Sequence, residues 1–437
     1  MSTSNSKSAA SSENAVGIGS ELELDVTNVA HGGIFVARHE GRVVFVSDTL
    51  PGERVRARLT EANHKSFWRA DTVEVLTASP ERQPHIWGAA AVERAPEDRA
   101  GGAEFGHIDP AFQRELKRRV LSDAMSRMAG IDTDVQVEAI PAGPNASPGD
   151  AAEGTGWRTR VRLHVDEDGS VGPYASRSHR VIPVIDLPLA ERDVEAAAPL
   201  DEIFPGAASV DVVAPTDGRV QVLVAERDAA GKRRPTPPNV IVERVGDREF
   251  RLDAAGFWQI HSRAAETLYS AVQDTIDESL FDPRAANLDL YGGVGLLAAA
   301  VGDRFGSTVR ITSVESNAQA TDFAAENLAE WVGASAQTDR VDRFLQRTAR
   351  ESSAADRARQ SAATVVLDPP RSGAGKAVVD QLGALGPAQV VYVACDPVAL
   401  ARDVALFAGH GYQLRTLRAF DLFPNTHHVE AIALLSR

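Results

Sequence analysis

The feature that most constrains this chain is an alternation of apolar strands and helices that sets in at about Phe257. A helix-like segment, Ala264 to Ile276, leads into an apolar strand ending Leu288-Asp289-Leu290-Tyr291. Gly292-Gly293-Val294-Gly295 follows, then an apolar helix through Val301, a strand ending Val314-Glu315 and a helix through Asn327. Val365-Val366-Leu367 and Val390-Val391-Tyr392-Val393 supply later strands. Short apolar strands separated by helices predict a doubly wound parallel sheet, so residues 256–437 are read as one α/β domain of Rossmann type.

The residues before it have a different texture. From Glu21 to about Leu76 the pattern alternates (Leu22, Leu24, Val26; then Val43, Phe45, Val46), with Gly32-Gly33 and Pro51-Gly52 as turn signals. Several short strands in so little chain predict a small barrel of OB type over residues 19–78. Residues 79–255 form a central segment. It begins irregularly, runs through an amphipathic helix from Phe112 to Met128 that stops at Gly130, and becomes β-rich from Trp157 to Val245. The 437 residues suit this division, at roughly 100–200 residues per domain.

The single cysteine, Cys395, excludes a disulfide framework and argues against any cysteine-based metal site. No apolar run reaches the ~18 residues of a membrane span. Residues 1–18 begin Ser/Ala/Asn-rich without an apolar core and read as a disordered tail, not a signal peptide, so a cytoplasmic location is expected. Lys and Arg number 46 against 61 Asp and Glu, a net charge of −15 that by itself suggests no nucleic-acid partner. Local basic segments point the other way: Arg54, Arg56, Arg58, Lys65 and Arg69; Arg158, Arg160 and Arg162 on one strand face; and Lys232-Arg233-Arg234 at a hairpin tip. If RNA is the partner, these should form one basic path leading to Cys395.

Four stretches carry chemistry. Glycines at 293 and 295, at a strand-to-helix turn, let the backbone approach a ligand and open the helix N-terminus to it. Glu315, ending the next strand, can take both hydroxyls of a ribose. With an acidic residue before the turn, Gly-x-Gly spacing favours S-adenosylmethionine over a dinucleotide. Asp368 in Leu367-Asp368-Pro369-Pro370-Arg371 lies at the carboxyl end of a strand, and Arg371 stands where an exocyclic-amine methyltransferase would carry an aromatic residue. Cys395 falls between a strand and a helix opening at Pro397, where the helix dipole is expected to lower the thiol pKa and make it a nucleophile. Glu430, heading the last apolar strand, reads either as a general base or as a surface carboxylate. Phe257-Trp258-Gln259 reads either as core packing or as part of a site.

Together these residues resemble the S-adenosylmethionine-dependent RNA methyltransferases that make 5-methyluridine. The resemblance rests on Leu367 to Arg371, on Tyr392-Val393 with Cys395, Pro397 and Leu400-Ala401-Arg402-Asp403, and on Phe423-Pro424 with Thr426, His428, Val429 and Glu430. Gly32-Gly33, Phe45-Val46 and Leu50 to Glu53 are similar to that family's TRAM domain, an RNA-binding module typical of its ribosomal-RNA branch, so 23S rRNA is the expected substrate and tRNA the alternative. The resemblance implies Cys395 as nucleophile and Glu430 as base, with Gln259, Tyr291, Glu315, Asp342 and Asp368 contacting the cofactor. It implies no membrane or DNA partner.

Two departures stand out. Ribosomal-RNA members commonly bind a four-iron cluster through cysteines, whereas this chain has Gln83, Ala100, Ala103 and Leu187 at about those places, so no cluster is expected. Gly292 replaces a cysteine often found in the glycine turn, and His261 stands where Asn is usual. A cytosine-C5 methyltransferase would need a second cysteine to release product. A non-catalytic RNA-binding protein of ribosome assembly would have no use for Cys395 and Glu430.

Overall fold

The computed structural model describes residues 16–64, 66–143, 145–147, 149–228, 234 and 237–437. By their contacts the described residues divide into two compact units, one made of residues 16–30 with Ile34–Arg82 and the other of His31–Gly33 with Gln83–Arg437.

In the first unit, β1 (Glu21–Ala30), β2 (Ile34–His39), β3 (Arg42–Ser47), β4 (Arg54–Glu61) and β5 (Phe67–Thr77) close into a barrel of order β1-β2-β3-β5-β4. Strict alternation in β1 and β4 sends Leu22, Leu24, Val26, Val55, Ala57 and Leu59 inward. Glu53 is buried and satisfied: Thr49 Oγ1 (2.8 Å), the Leu50 amide (3.0 Å) and Arg82 Nε (2.5 Å) all donate to it. Closure leaves no open sheet edge.

The barrel arginines are not free cations. The β1/β4 register sets Glu21 against Arg58 and Glu23 against Arg56, and ion pairs form between Arg54 and Glu23 (2.8 Å), Arg56 and Glu74 (2.5 Å) and Arg69 and Glu61 (3.0 Å). Within the segment itself only Glu61 opposes them. The other acids arrive from neighbouring strands, which linear reading does not see. Lys65 lies outside the described residues.

The second unit holds three sheets. Helix α1 (Pro110–Ala124), capped by the Asp109 carboxylate on the Ala111 and Phe112 amides, continues as a π-turn to Gly130, whose φ of +66° ends it. Strand β6 (Val137–Ala139) and a short helix α2 (Asp150–Glu153) follow. Strands β7 (Arg160–Val165), β8 (Val171–Gly172), β9 (Ala207–Val213) and β10 (Gln221–Glu226) build a sheet of order β10-β9-β7-β8, with helix α3 (Arg192–Ala197) before β9. Strands β11 (Val240–Val245) and β12 (Arg248–Asp253) form a hairpin.

The α/β part opens with helix α4 (Ala264–Thr275). It continues β13 (Asn287–Leu290), α5 (Leu296–Phe305), β14 (Ile311–Glu315), α6 (Ala318–Asn327), β15 (Ala334–Thr338), α7 (Val341–Glu351), α8 (Ala354–Ser361), β16 (Thr364–Leu367), α9 (Gly375–Leu385), β17 (Gln389–Ala394), α10 (Pro397–Gly409), β18 (Gln413–Asp421) and β19 (Glu430–Ser436). Its sheet order is β15-β14-β13-β16-β17-β19-β18-β6, with β13 to β17 parallel and β19 antiparallel to both neighbours. The expected doubly wound sheet is present. Its outermost strand, β6, comes from residues 79–255 and pairs with β18, so the sheet extends into that segment.

Two positions of the basic segments play structural roles instead. Arg160 is buried, its guanidinium donating to Glu243 (2.9 Å) and to the Gly256 carbonyl (3.0 Å). Arg162 is clamped by Asp211 through two hydrogen bonds (2.6 and 3.0 Å). Strand alternation sets both on one strand, where Arg160 is covered by other elements while Arg162 stays exposed within its ion pair. Lys232 and Arg233 lie outside the described residues, and Arg234 pairs with Glu226 (2.9 Å).

The positions where cluster cysteines would stand are packed. Ala100, Ala103 and Leu187 are buried in one apolar cluster with Trp87 and Trp157, and the Gln83 amide donates to the His107 carbonyl (2.9 Å). Among the described residues no group of three or more His, Cys, Asp or Glu is placed to hold a metal ion.

Candidate functional site

The carboxyl ends of the parallel strands collect most of the singled-out residues. Leu290 is level with Val314 and with Leu367 in the sheet, so Tyr291, Glu315 and Asp368 emerge side by side, one step beyond. This edge is where open α/β sheets bind ligands. Tyr291 adopts φ +63°, a left-handed conformation uncommon outside glycine, and Gly293 (+53°) and Gly295 (+89°) complete the turn into α5.

Behind this turn lies the acidic residue that precedes it in the sequence. Asp289 is fully buried in β13 and accepts a hydrogen bond from Ser313 Oγ (2.9 Å). Burial raises its pKa to about 7. Asp368 is likewise raised to about 7, by burial and then by the charge of Asp289. A Cβ on Gly292 would stand 2.0 Å from Ser313 Oγ and 2.4 Å from Asp289 Oδ2. With this aspartate and serine in place, only glycine fits at 292.

Cys395 and Glu430 are brought together by sheet register. Ala394 pairs with Ala431 across β17 and β19, so the next residue on each strand, Cys395 and Glu430, ends the same ladder. Glu430 is 4% exposed, and its pKa is raised well above the usual range by burial and then by Asp368. The Cys395 thiol is pushed up to about 12, first by burial and then by Glu430 and Asp368, with Arg371 acting in the opposite direction. The expected lowering by the helix does not occur. Helix α10 opens as foreseen at Pro397, but the Asp396 carboxylate caps it, accepting from the Val398 (3.0 Å) and Ala399 (2.8 Å) amides. An anion therefore occupies the helix N-terminus that would otherwise favour a thiolate.

Arg371 is held beside the cysteine. Its Nη2 donates to His428 Nε2 (3.2 Å), and burial, followed by the neighbouring His427 and Arg371, keeps the His428 ring neutral and able to accept. The Arg402-Asp403 pair ending the cysteine motif fixes the 371–375 loop. Arg402 Nη2 donates to the Ser372 carbonyl (2.8 Å), the Gly375 amide to Asp403 Oδ2 (3.1 Å), and Tyr392 OH to the same oxygen (2.7 Å). On the other side, the buried Lys117 of α1 donates to Asp421 Oδ1 (2.6 Å) and to the Phe423 carbonyl (2.9 Å), and Gln113 exchanges two hydrogen bonds with Asn425 (2.7 and 2.9 Å). These contacts clamp the 421–425 segment leading to Glu430. In the sequence, Lys117 looked like one more basic side chain of an amphipathic helix.

The remaining positions sit at the rim. Glu315 accepts from the Asn317 amide (2.7 Å) and adds its charge to that felt by Asp289. Asp342, in the first turn of α7, is gripped by Arg340 (3.0 and 3.1 Å), which holds its carboxyl below the usual range. Burial raises Tyr291 to about 12, and Asp342 adds to that rise, which places the two as neighbours. Gln259 lies half-buried in the loop after β12. That loop is stitched to the segment leading into β7 by Thr159, whose amide donates to the Ile260 carbonyl (2.8 Å), and by His261 stacked on Trp157 (5.5 Å, 17°).

Asp289, Asp368 and Glu430 thus form a desolvated, like-charged row at the sheet edge. Such a row suits a ligand that carries positive charge. S-adenosylmethionine, with a sulfonium and an ammonium group, fits this donor set, and the Gly293–Gly295 backbone and Glu315 suit its polar remainder.

Comparison with known proteins agrees. Residues 16–67 match the TRAM domain family, and residues 245–437 match the tRNA (uracil-5-)-methyltransferase family. An uncharacterised RNA methyltransferase of Streptomyces avermitilis is 38% identical over 96% of this chain and 98% of its own length. One of Bifidobacterium longum is 34% identical over 95% of this chain and 97% of its own. Among solved structures, the tRNA (uracil-54, C5)-methyltransferase of Pyrococcus abyssi in complex with S-adenosyl-L-homocysteine superposes with a TM-score of 0.65 at 19% identity, covering 94% of this chain and all of that one, which speaks for the shared fold. The chain belongs to the TRAM-bearing RNA (uracil-5-)-methyltransferase family of S-adenosylmethionine-dependent enzymes.

Proposed function

We propose that this protein methylates C5 of a uridine in 23S rRNA through a covalent adduct between Cys395 and C6 of the base. The observation that carries the reading is the Cys395–Glu430 pairing at the end of the β17/β19 ladder, beside Asp368 and Arg371. Bound S-adenosylmethionine supplies an electrophilic methyl group. Asp289, Asp368, Gly293, Gly295 and Glu315 would hold it, with Tyr291, Asp342 and Gln259 at the rim.

At rest burial, with repulsion from Glu430 and Asp368, favours the Cys395 thiol, and burial with repulsion from Asp368 favours the protonated form of Glu430. Positive charge arriving beside Asp289 and Asp368 offsets that repulsion and favours ionisation of both groups. The Cys395 thiolate then adds to C6, which turns C5 into an enolate-like nucleophile able to accept a methyl group. Glu430, as carboxylate, removes the C5 proton. The electron pair left on carbon re-forms the C5–C6 double bond and expels the thiolate. The uridine must leave its stack to reach this buried edge.

The choice of 23S rRNA rests on the TRAM domain. A tRNA substrate is the second reading, favoured by the printed names of the matching family and of the Pyrococcus enzyme. Mapping 5-methyluridine in rRNA and tRNA from a deletion strain decides between them: loss from rRNA alone supports the first, loss from tRNA alone the second. Incubation with 5-fluorouridine RNA and S-adenosylmethionine tests the chemistry. A covalent adduct absent in Cys395→Ala supports it, and RNA binding without an adduct refutes it. No described helix is long and apolar enough to cross a membrane, in keeping with a cytoplasmic RNA-modifying enzyme.

A further inference from the structure

A cavity opens in the second unit, between the β7/β8 strands and the loops around Gly101 and Leu187. Its volume is about 340 Å³, near the lower end of the ~300–1,000 Å³ usual for small-molecule sites. Two aromatic rings in its wall, His164 and Tyr174, lie face to face with centroids 3.5 Å apart and planes 9° from parallel. Three guanidinium-bearing residues line it, Arg158, Arg162 and Arg177, with Glu104 in the same wall and Asp211 paired to Arg162. A flat aromatic platform inside a cationic wall is the combination that holds an unstacked nucleobase and its phosphate.

The cavity is connected to the reaction centre through charge. Arg158 is close enough to Arg371 for their like charges to oppose each other, and Arg371 in turn acts on the Cys395 thiol. Burial together with the Arg162 charge keeps the His164 ring neutral, which suits stacking on an uncharged base.

We propose that this cavity receives an unstacked base of the RNA substrate from a nucleotide near the target uridine in the strand. The base packs on the His164–Tyr174 pair and its phosphate faces the arginine wall. This rests on the RNA-methylating function proposed above and deepens it. Part of the specificity then comes from a base that is never modified.

The test uses the full-length protein and total RNA from a deletion strain. After ultraviolet cross-linking and digestion with nuclease and protease, mass spectrometry should find nucleotide-bearing peptides that contain Tyr174 or His164. Nucleotides found only on other peptides overturn the proposal. Methyl transfer to the same RNA reads the methylation function separately, so methylation without nucleotides on these peptides refutes the cavity alone. For Tyr174→Leu, KM for that RNA should rise ~10-fold or more with kcat within about twofold, whereas Tyr174→Phe, which keeps the ring, should stay near the unaltered protein. Equal KM in all three proteins, or a fall in kcat alone, overturns the proposal.

Discussion

Cys395 and Glu430 lie one residue beyond the last pair of the β17/β19 ladder, and the Glu430 charge raises the cost of ionising the Cys395 thiol. The ladder runs in register up to the Ala394–Ala431 pair, and the thiol beyond it is pushed up to about 12 by burial, Glu430 and Asp368. The resting thiol is therefore favoured over the thiolate, and its ionisation depends on what binds.

Replacing the two residues should separate the halves of the reaction. Cys395→Ala should lower methyl transfer by about 10³-fold or more and abolish the adduct with 5-fluorouridine RNA. Glu430→Gln should lower turnover by about 10²–10⁴-fold. That variant should also accumulate a methylated adduct on ordinary RNA, visible as a mass shift on the Cys395 peptide, because nothing removes the C5 proton.

Cofactor binding should release protons. Asp289 and Asp368 sit at about 7 in the free protein, and a cation beside them favours the ionised form. Calorimetry near pH 6.5 in two buffers of different ionisation enthalpy should show net release, and affinity for S-adenosylmethionine should rise from pH 6 to pH 8. S-adenosylhomocysteine lacks the sulfonium charge and should show a weaker pH dependence. Equal pH dependence for the two ligands would contradict the electrostatic account.

The same groups tie stability to pH. Their folded pKa values lie above the usual carboxylate range, so between about pH 4 and pH 7 the folded state binds protons that the unfolded state has lost. Their contribution therefore falls as pH rises through that window. Asp289→Asn removes the buried charge, keeps an acceptor for Ser313, and should raise the melting midpoint at pH 8 by about 2–4 °C. The gain should shrink towards pH 5. It should come with weaker cofactor binding.

Gly292→Ala should damage the turn that carries Tyr291, Gly293 and Gly295. The added methyl would overlap Ser313 Oγ and the Asp289 carboxyl, at a cost of about 1–3 kcal/mol, measurable by denaturant unfolding. Adding Ser313→Ala should recover part of the loss. No recovery would place the strain elsewhere.

Lys117→Met should destabilise the protein by about 3–5 kcal/mol, since it leaves Asp421 buried without its cation. Lys117→Met with Asp421→Leu should regain much of this. Both variants should lower turnover if the clamp on the segment before Glu430 matters for its position.

Much of this was legible in the chain itself. Apolar strands such as Val390–Val393, glycines at the turn after Tyr291 and proline at 397 act locally: periodicity and backbone restriction need no distant partner to reveal a parallel sheet, a tight turn and a helix start. Charge was read less well. Arg160 looked exposed by alternation, yet Glu243 covers it. The barrel arginines looked opposed by Glu61 alone, yet Glu21, Glu23 and Glu74 reach them from other strands. The Cys395 thiol was expected to be acidic, yet Asp396 occupies the helix N-terminus and Glu430 arrives from 35 positions further along the chain.

The sequence by itself thus determined the strand and helix pattern and the glycine turn, and pointed to the residues proposed to bear the chemistry, because each is written in neighbouring side chains. Only the tertiary structure decided which groups share a dry environment and which charges face one another. Desolvation and Coulomb interaction depend on distance through space, and the sheet register that sets those distances is not local information.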